Sequence, residues 1–278
     1  MIGGKVLMKR VIKYSLLSTG IAFIIIPLYL TFASSVKETS QITGNFFGIP
    51  NPFTWDNFQR VFADGVWTYF WNSTVITILS AILIVLVVPM GAFALVRNMT
   101  KNKSFKMIYF LLIIGIFVPF QVIMLPITRL MSDFNLLTIP GLIILYLTFS
   151  IPQSLFLYTG YIRAVVPIEL DEAATIDGCN AFQTYFKVIF PVLKPMHATV
   201  LIINILWIWN DFLLPLLILN RRSSNWTLPL FQYNYQGQYF NDFGPSFASY
   251  VIGIVSILVV YLIFQKNIIS GMTSGTVK

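Results

Sequence analysis

Charge is scarce in this 278-residue chain: Asp, Glu, Lys and Arg make up 10% of it, against 57% apolar residues. A soluble domain cannot hide that much apolar surface in its core, so a polytopic membrane protein is expected, and the mean hydropathy of +0.79 agrees. Cysteine and histidine are nearly absent. A single Cys179 excludes an intrachain disulfide, and a single His197 excludes a His-rich metal cluster. No GxxxxGK followed by Ser or Thr occurs, and the terminal "SGTVK" does not supply one, so the chain is not expected to bind or hydrolyse ATP itself. No internal repeat or low-complexity tract stands out. The net charge of +8 does not point to nucleic acid, because Lys and Arg are scattered between apolar runs rather than gathered on one face.

What is present is a series of long charge-free runs. A bilayer core about 30 Å thick takes roughly 20 apolar residues in helix. Six runs qualify, 14–36, 66–96, 107–128, 134–162, 195–219 and 243–265, and only the fifth carries a formal charge, Asp211. They predict an all-α fold with six transmembrane helices. The run 14–36 follows a basic start, as a signal peptide would, but it is too long for the apolar part of one, so a retained anchor is expected. With six spans both chain ends share a side. Of the 18 Lys and Arg residues, only Lys37, Arg60, Arg129, Arg221 and Arg222 fall on the other side. The positive-inside rule then makes both ends cytoplasmic, together with the loop 163–195. Segments 37–65 and 220–242 read as ordered loops capping the outer face, with "NPFTWDNF" as a turn followed by a short interfacial helix. The chain thus divides into residues 1–65, a membrane core over 66–266, and a cytoplasmic tail over 267–278.

Four of the ten acidic residues lie in "PIELDEAATIDG", residues 167–178. Pro167 suits a first helical position, and Glu169, Asp171 and Glu172 would sit in the first turn, where the helix dipole favours negative charge. Gly178 suits the left-handed residue that ends a helix. A second helix is expected to follow, with Phe182, Tyr185, Phe186 and Ile189 on one apolar face and Pro191 as its stop. On the first helix Leu170, Ala173, Ala174 and Asp177 share an arc. A solvated cap over the bundle is one reading. The agreement of carboxylates, small residues, terminating glycine and second amphipathic helix points instead to a docking element for a cytoplasmic partner.

"EAATIDG" with the following "IFPVLKP" resembles the EAA loop of permease subunits of ATP-binding-cassette (ABC) importers. Two positions depart from that family's pattern: Cys179 replaces the usual Ala, and Phe190 the usual Leu before the proline. "SSVK", "FTWDNF", "WNSTVI", "QVIMLPITRLMSDFNLLTIPGLIILY", "WNDFLLPL" and "SGMTSGTVK" extend the likeness over nearly the whole chain, toward the maltose-type second permease subunit of carbohydrate uptake. The resemblance implies a type I importer permease fold, with 66–266 as its transmembrane domain and 163–195 as the coupling loop. It implies a heterodimer with a second permease subunit, two ATPase subunits that bind ATP and Mg, and an extracytoplasmic solute-binding protein, all in the bacterial cell membrane. This chain would then bind no cofactor and no nucleic acid, only membrane lipid and protein partners. Glu172 would pair with a basic ATPase residue, Ala173 and Ala174 would permit close approach, Asp177 and Gly178 would fix the elbow, and Phe182, Phe186 and Pro191 would complete the coupling element. Ser270 to Lys278 is a secondary contact candidate.

A substrate path should show as polar or broken helix within the spans. In "WIWNDFLLP", Pro215 lacks an N–H, so the Asp211 carbonyl four residues earlier loses its helical bond. Asn210 and Asp211 therefore either line a pathway or satisfy the broken backbone. Asn72, Gln121 and Asn204 are further intramembrane amides that either line a cavity or bond neighbouring helices. Trp207 and Trp209 either stack on sugar rings or anchor the helix at an interface. The resemblance places the principal sugar site in the other permease subunit. An ion-coupled secondary transporter would bury several charges at mid-membrane, and only Asp211 qualifies; an intramembrane enzyme would want converging groups, which His197 and Asp211, far apart on one helix, do not provide. The expected cargo is a di- or oligosaccharide, with glycerol-3-phosphate or a polyol as alternatives. A phosphate would favour cations along the path, and the six runs hold no Lys or Arg.

Overall fold

A computed structural model describes residues 2–236 and 242–273. The described residues are helical, joined by turns and short connections, with no extended strand among them. In chain order the helices are α1 (Ile2–Ser35), α2 (Thr39–Gly44), α3 (Asp56–Ala63), α4 (Val66–Asn98), α5 (Lys103–Ile114), α6 (Phe120–Asp133), α7 (Ile139–Val165), α8 (Glu169–Ile176), α9 (Ala181–Gln183), α10 (Phe190–Val192), α11 (Lys194–Asn210), α12 (Leu213–Leu219), α13 (Leu228–Gln232) and α14 (Phe243–Thr273).

Three stretches are long and apolar enough to cross a bilayer, Arg10–Ser35, Val66–Asn98 and Ile139–Val165. Two more pass only as bent pairs: Lys103–Phe117 with Phe120–Asp133, turned by 107°, and Ala181–Val192 with Lys194–Asn210, turned by 75°. The sixth run lies within α14, which continues unbroken from Phe243 to Thr273. Six continuous spans are therefore not what the described residues form. The run 107–128 is cut in the middle, because Val118 precedes a proline and takes an extended conformation, φ −82° and ψ 110°. Pro119 then caps α6 from outside, with φ −64° and ψ 132°. The run 195–219 is likewise cut, at Asp211.

The chain forms two compact units, one of residues up to 67 with 231–257, the other of 68–230 with the described residues beyond 257. In the first unit, the expected turn and short helix are the stretch up to Thr54 and α3. Asn57 on α3 donates to the backbone carbonyls of Ser35 (3.0 Å) and Lys37 (2.7 Å). Lys37 itself is 1% exposed and donates to the carbonyls of Asn45 and Phe46, so its charge is neutralised by backbone dipoles.

The second unit is organised around α7. Leu142, Tyr146, Leu155, Tyr158 and Ile162 are buried along it, and Thr138 starts it by accepting from the Gly141 N–H. Lipid tails are as apolar as these side chains, so close packing and interhelical bonds hold the helices together. Ser150 and Ser154, one turn apart and both buried, allow that approach, and Asn204 of α11 donates to Ser154 Oγ at 3.2 Å.

Candidate functional site

The acidic loop folds as two helical pieces joined at a fixed elbow. Ile168 caps α8, so Pro167 stands just outside the helix instead of opening it. Glu169, Asp171 and Glu172 fill the first turn. Gly178 takes φ +77°. The Cys179 N–H donates to the Ala174 carbonyl at 2.9 Å and the Gly178 N–H to the Thr175 carbonyl at 3.0 Å, the pair of bonds that closes a helix on a left-handed glycine. The next piece starts at once. Asn180 accepts from the Gln183 N–H at 2.9 Å while the Gln183 side chain accepts from the Asn180 N–H at 3.0 Å, a reciprocal cap.

A tether from α4 holds α8 sideways. Arg97 Nε lies 2.7 Å from Asp171 Oδ2 and its Nη2 3.2 Å from Oδ1, and Nη2 also donates to the carbonyls of Val166 and Pro167. One carboxylate of the acidic island is thus spent within the chain, leaving Glu169, Glu172 and Asp177 exposed. The two alanines have different surroundings. Ala174, with half-buried Leu170, faces the π-helical turn that follows and is 4% exposed, whereas Ala173 faces outward with Ile176, which is 86% exposed. The expected arc of Leu170, Ala173, Ala174 and Asp177 is therefore divided: α8 turns one edge to its own chain, and only Ala173 and Asp177 of the four are open to another surface.

The second piece is not a plain α-helix. Residues Thr184–Ile189 form a wider, π-helical turn, just ahead of Pro191, which lacks the N–H an α-helix would give to the Lys187 carbonyl. Pro191 sits inside α10, and the direction changes only after it, at Leu193. The widened turn splits the expected apolar face. Tyr185 and Ile189 are buried, Phe186 is half-buried, and Phe182 is exposed. Burial pushes the Tyr185 hydroxyl well above its ordinary pKa, and that hydroxyl has no hydrogen-bond partner. Rings line up through this turn: Phe182 and Phe186, four residues apart, have centroids 4.5 Å apart, Phe186 and Phe190 6.0 Å, and Phe190 and His197 of α11, seven residues apart, 4.3 Å. His197 Nε2 donates to the Phe190 carbonyl (3.0 Å), which leaves Nδ1 to accept from the Tyr158 hydroxyl at 2.8 Å. A ladder of rings therefore runs from the exposed tip at Phe182 to the centre of α7. Ser270 to Thr273 end α14, and residues 274–278 lie outside the described residues.

A second feature lies deeper in the same unit. A cavity of about 750 Å³ is lined by both helix breaks, Gly115 and Val118 of the first and Asp211 and Leu213 of the second, with Gln121 of α6, Phe149, Gln153 and Phe156 of α7, and Trp207 of α11. Asp211 holds the second break open: its Oδ1 accepts from the Leu213 N–H (3.1 Å) and its Oδ2 from the buried Tyr146 hydroxyl (3.0 Å). Of the expected pathway groups the cavity unites Gln121, Trp207 and Asp211. The others go elsewhere. Asn72 donates to the carbonyls of Ser224 and Trp226, Asn204 to Ser154 and the Val200 carbonyl, and Asn210 to the Leu206 carbonyl of its own helix. Trp209 packs edge-on against Phe70. Gln153 was not singled out by the sequence.

Residues 87–274 match the model of the family described as binding-protein-dependent transport system inner membrane component. The chain is 63% identical over 266 residues to a multiple sugar-binding transport system permease protein of Streptococcus mutans, covering 96% of each. It is 34% identical to a probable starch degradation products transport system permease protein of Thermoanaerobacterium thermosulfurigenes, covering 96% of this chain and 97% of that one. Its fold matches, with a TM-score of 0.78 and 21% identity, a chain in the crystal structure of a bacterial ABC transporter involved in import of the acidic polysaccharide alginate, covering 93% of this chain and 96% of that one.

Proposed function

The chain belongs to the family of binding-protein-dependent transport system inner membrane components, and from that premise we propose that it is one of two permease subunits of an ATP-driven carbohydrate importer. The observation that carries the reading is the elbow. Glu172, Ala173, Ile176, Asp177 and Phe182 stand out from a loop whose bend is fixed by a left-handed glycine and a reciprocal cap. A rigid, exposed, acidic and apolar projection is what a nucleotide-driven partner can grip and push. The Phe182 to His197 ladder gives that push a stiff route into the bundle. ATPase subunits dock on this elbow, hydrolyse ATP with Mg, and an extracytoplasmic binding protein delivers the cargo on the other face. The two broken runs each complete one crossing, which makes six, with both chain ends and the elbow cytoplasmic. The cargo is a di- or oligosaccharide, supported by relatives named for multiple sugars, starch degradation products, and melibiose, raffinose and stachyose.

Purification of the chain from its own membranes in mild detergent tests the assembly. A second permease and an ATPase should accompany it, and Glu172→Lys should release the ATPase while leaving the permease pair intact. Recovery of the chain alone, when a control complex survives the same detergent, would overturn the reading.

A further inference from the structure

Two of the three features that make this membrane unit irregular meet at one place. The break at 118–119 and the break at 211–212 are almost a hundred residues apart in sequence, yet both line the cavity of about 750 Å³. Non-helical backbone at membrane depth is tolerated only where protein buries it or a polar cavity hydrates it. The amides of Gln121 and Gln153 line the same cavity and make no hydrogen bond within the described chain, and leaving them against lipid would cost as much as any unsatisfied polar group. The remaining wall is apolar, part aliphatic (Ile116, Val118, Leu157, Leu213 and Leu214) and part aromatic, with Phe149, Phe156 and Trp207. No Lys or Arg lines it, and Asp211 contributes a carboxyl group, so the wall offers nothing to hold an anion. Free amide donors and acceptors beside aromatic faces suit a neutral polyhydroxylated ring, whose hydroxyls bond and whose C–H faces stack. The volume falls within the roughly 300–1,000 Å³ of small-molecule sites.

We propose that this cavity is a transit site at which the imported sugar touches this subunit directly, held by Gln121 and Gln153 and stacked on Phe149, Phe156 or Trp207. The inference rests on the carbohydrate-importer reading and adds a site within this chain. The test uses the whole importer, both permeases, ATPases and binding protein, in proteoliposomes with melibiose, raffinose and stachyose as probes. Gln121→Ala and Gln153→Ala should each slow import about three- to tenfold, the effect of a lost hydrogen bond. Gln153→Trp should penalise stachyose more than melibiose. Independently, a thiol placed by Gln153→Cys, in a chain carrying Cys179→Ala, should react with a small methanethiosulfonate in the assembled importer and be protected by sugar during turnover. A wild-type importer that moves none of the three sugars refutes the carbohydrate reading. Wild-type import with all variants unchanged, or a thiol at 153 that stays inert because the second permease fills the cavity, refutes the transit site alone.

Discussion

Replacing Arg97 with Ala isolates the tether that holds the acidic elbow. The guanidinium makes two bonds to Asp171 and two to backbone carbonyls, and the paired side chains are 16% and 22% exposed. That is too buried for the 0–1 kcal/mol of a surface pair and too wet for the roughly 3–5 kcal/mol lost when a buried pair is broken. Charge-assisted bonds of about 1.5–3 kcal/mol, discounted for partial exposure, leave a cost near 2 kcal/mol. The loss falls on α8, whose other attachment is the packing of Leu170 and Ala174. Local opening of α8 should therefore become about 30-fold more frequent, at ~1.4 kcal/mol per tenfold. Hydrogen exchange read by mass spectrometry on peptides covering 169–176 measures this directly, with α7 peptides as the internal control. Arg97→Lys keeps the charge but not the planar fork, and should restore only part of the protection. Unchanged exchange over 169–176 in Arg97→Ala would refute the reasoning and show that α8 is held by packing alone.

At Gly178, φ is +77° and nothing lies within 4 Å of an added Cβ, so Gly178→Ala costs about 1–2 kcal/mol through backbone strain alone. Sugar moved per ATP hydrolysed should fall in reconstituted importer, and an unchanged ratio would refute the elbow's role. Tyr185→Phe removes a buried hydroxyl without a partner and should raise the thermal stability of the purified complex by about 1 kcal/mol; a loss of stability would show that the hydroxyl is used. Cys179, half-exposed beside the elbow, should react with a membrane-impermeant thiol reagent only from the cytoplasmic side, and labelling of intact cells from outside would overturn the orientation.

The elbow was legible because its signals are local. Carboxylates, Gly178 and the spacing of Phe182 and Phe186 all act within a turn or two, and the break at Asp211 follows from Pro215 four residues on. Pro119 marks a possible bend in the sequence but not its size, because a hydropathy run adds up residues without regard to direction. The restriction a proline places on Val118 was the available signal. Arg97 was counted as a topogenic charge, and its partner lies 74 residues away, beyond any periodicity. The widened turn at Thr184–Ile189 defeated a projection built on 3.6 residues per turn, which is why Phe182, Tyr185, Phe186 and Ile189, expected on one apolar face, are split between exposed and buried. Gln153 carried no signal of its own, since its significance comes from two breaks that only folding brings beside it.

The bend between α5 and α6 also bears on how the chain enters the membrane. With 12 and 14 residues, the halves rise about 18 and 21 Å, each short of a bilayer core about 30 Å thick. Neither half qualifies for insertion alone, whereas the continuous run does. A Cβ at Gly115 would press on the Pro152 ring of α7, so the kinked arrangement is fitted to a helix synthesised afterwards. A reporter fused after Asp133 should be found outside the cell even in a chain lacking α7, and a cytoplasmic position would show that the run needs α7 in order to cross. The bend is seated against a helix that follows it in the chain, which makes α7 part of what keeps the two halves folded over.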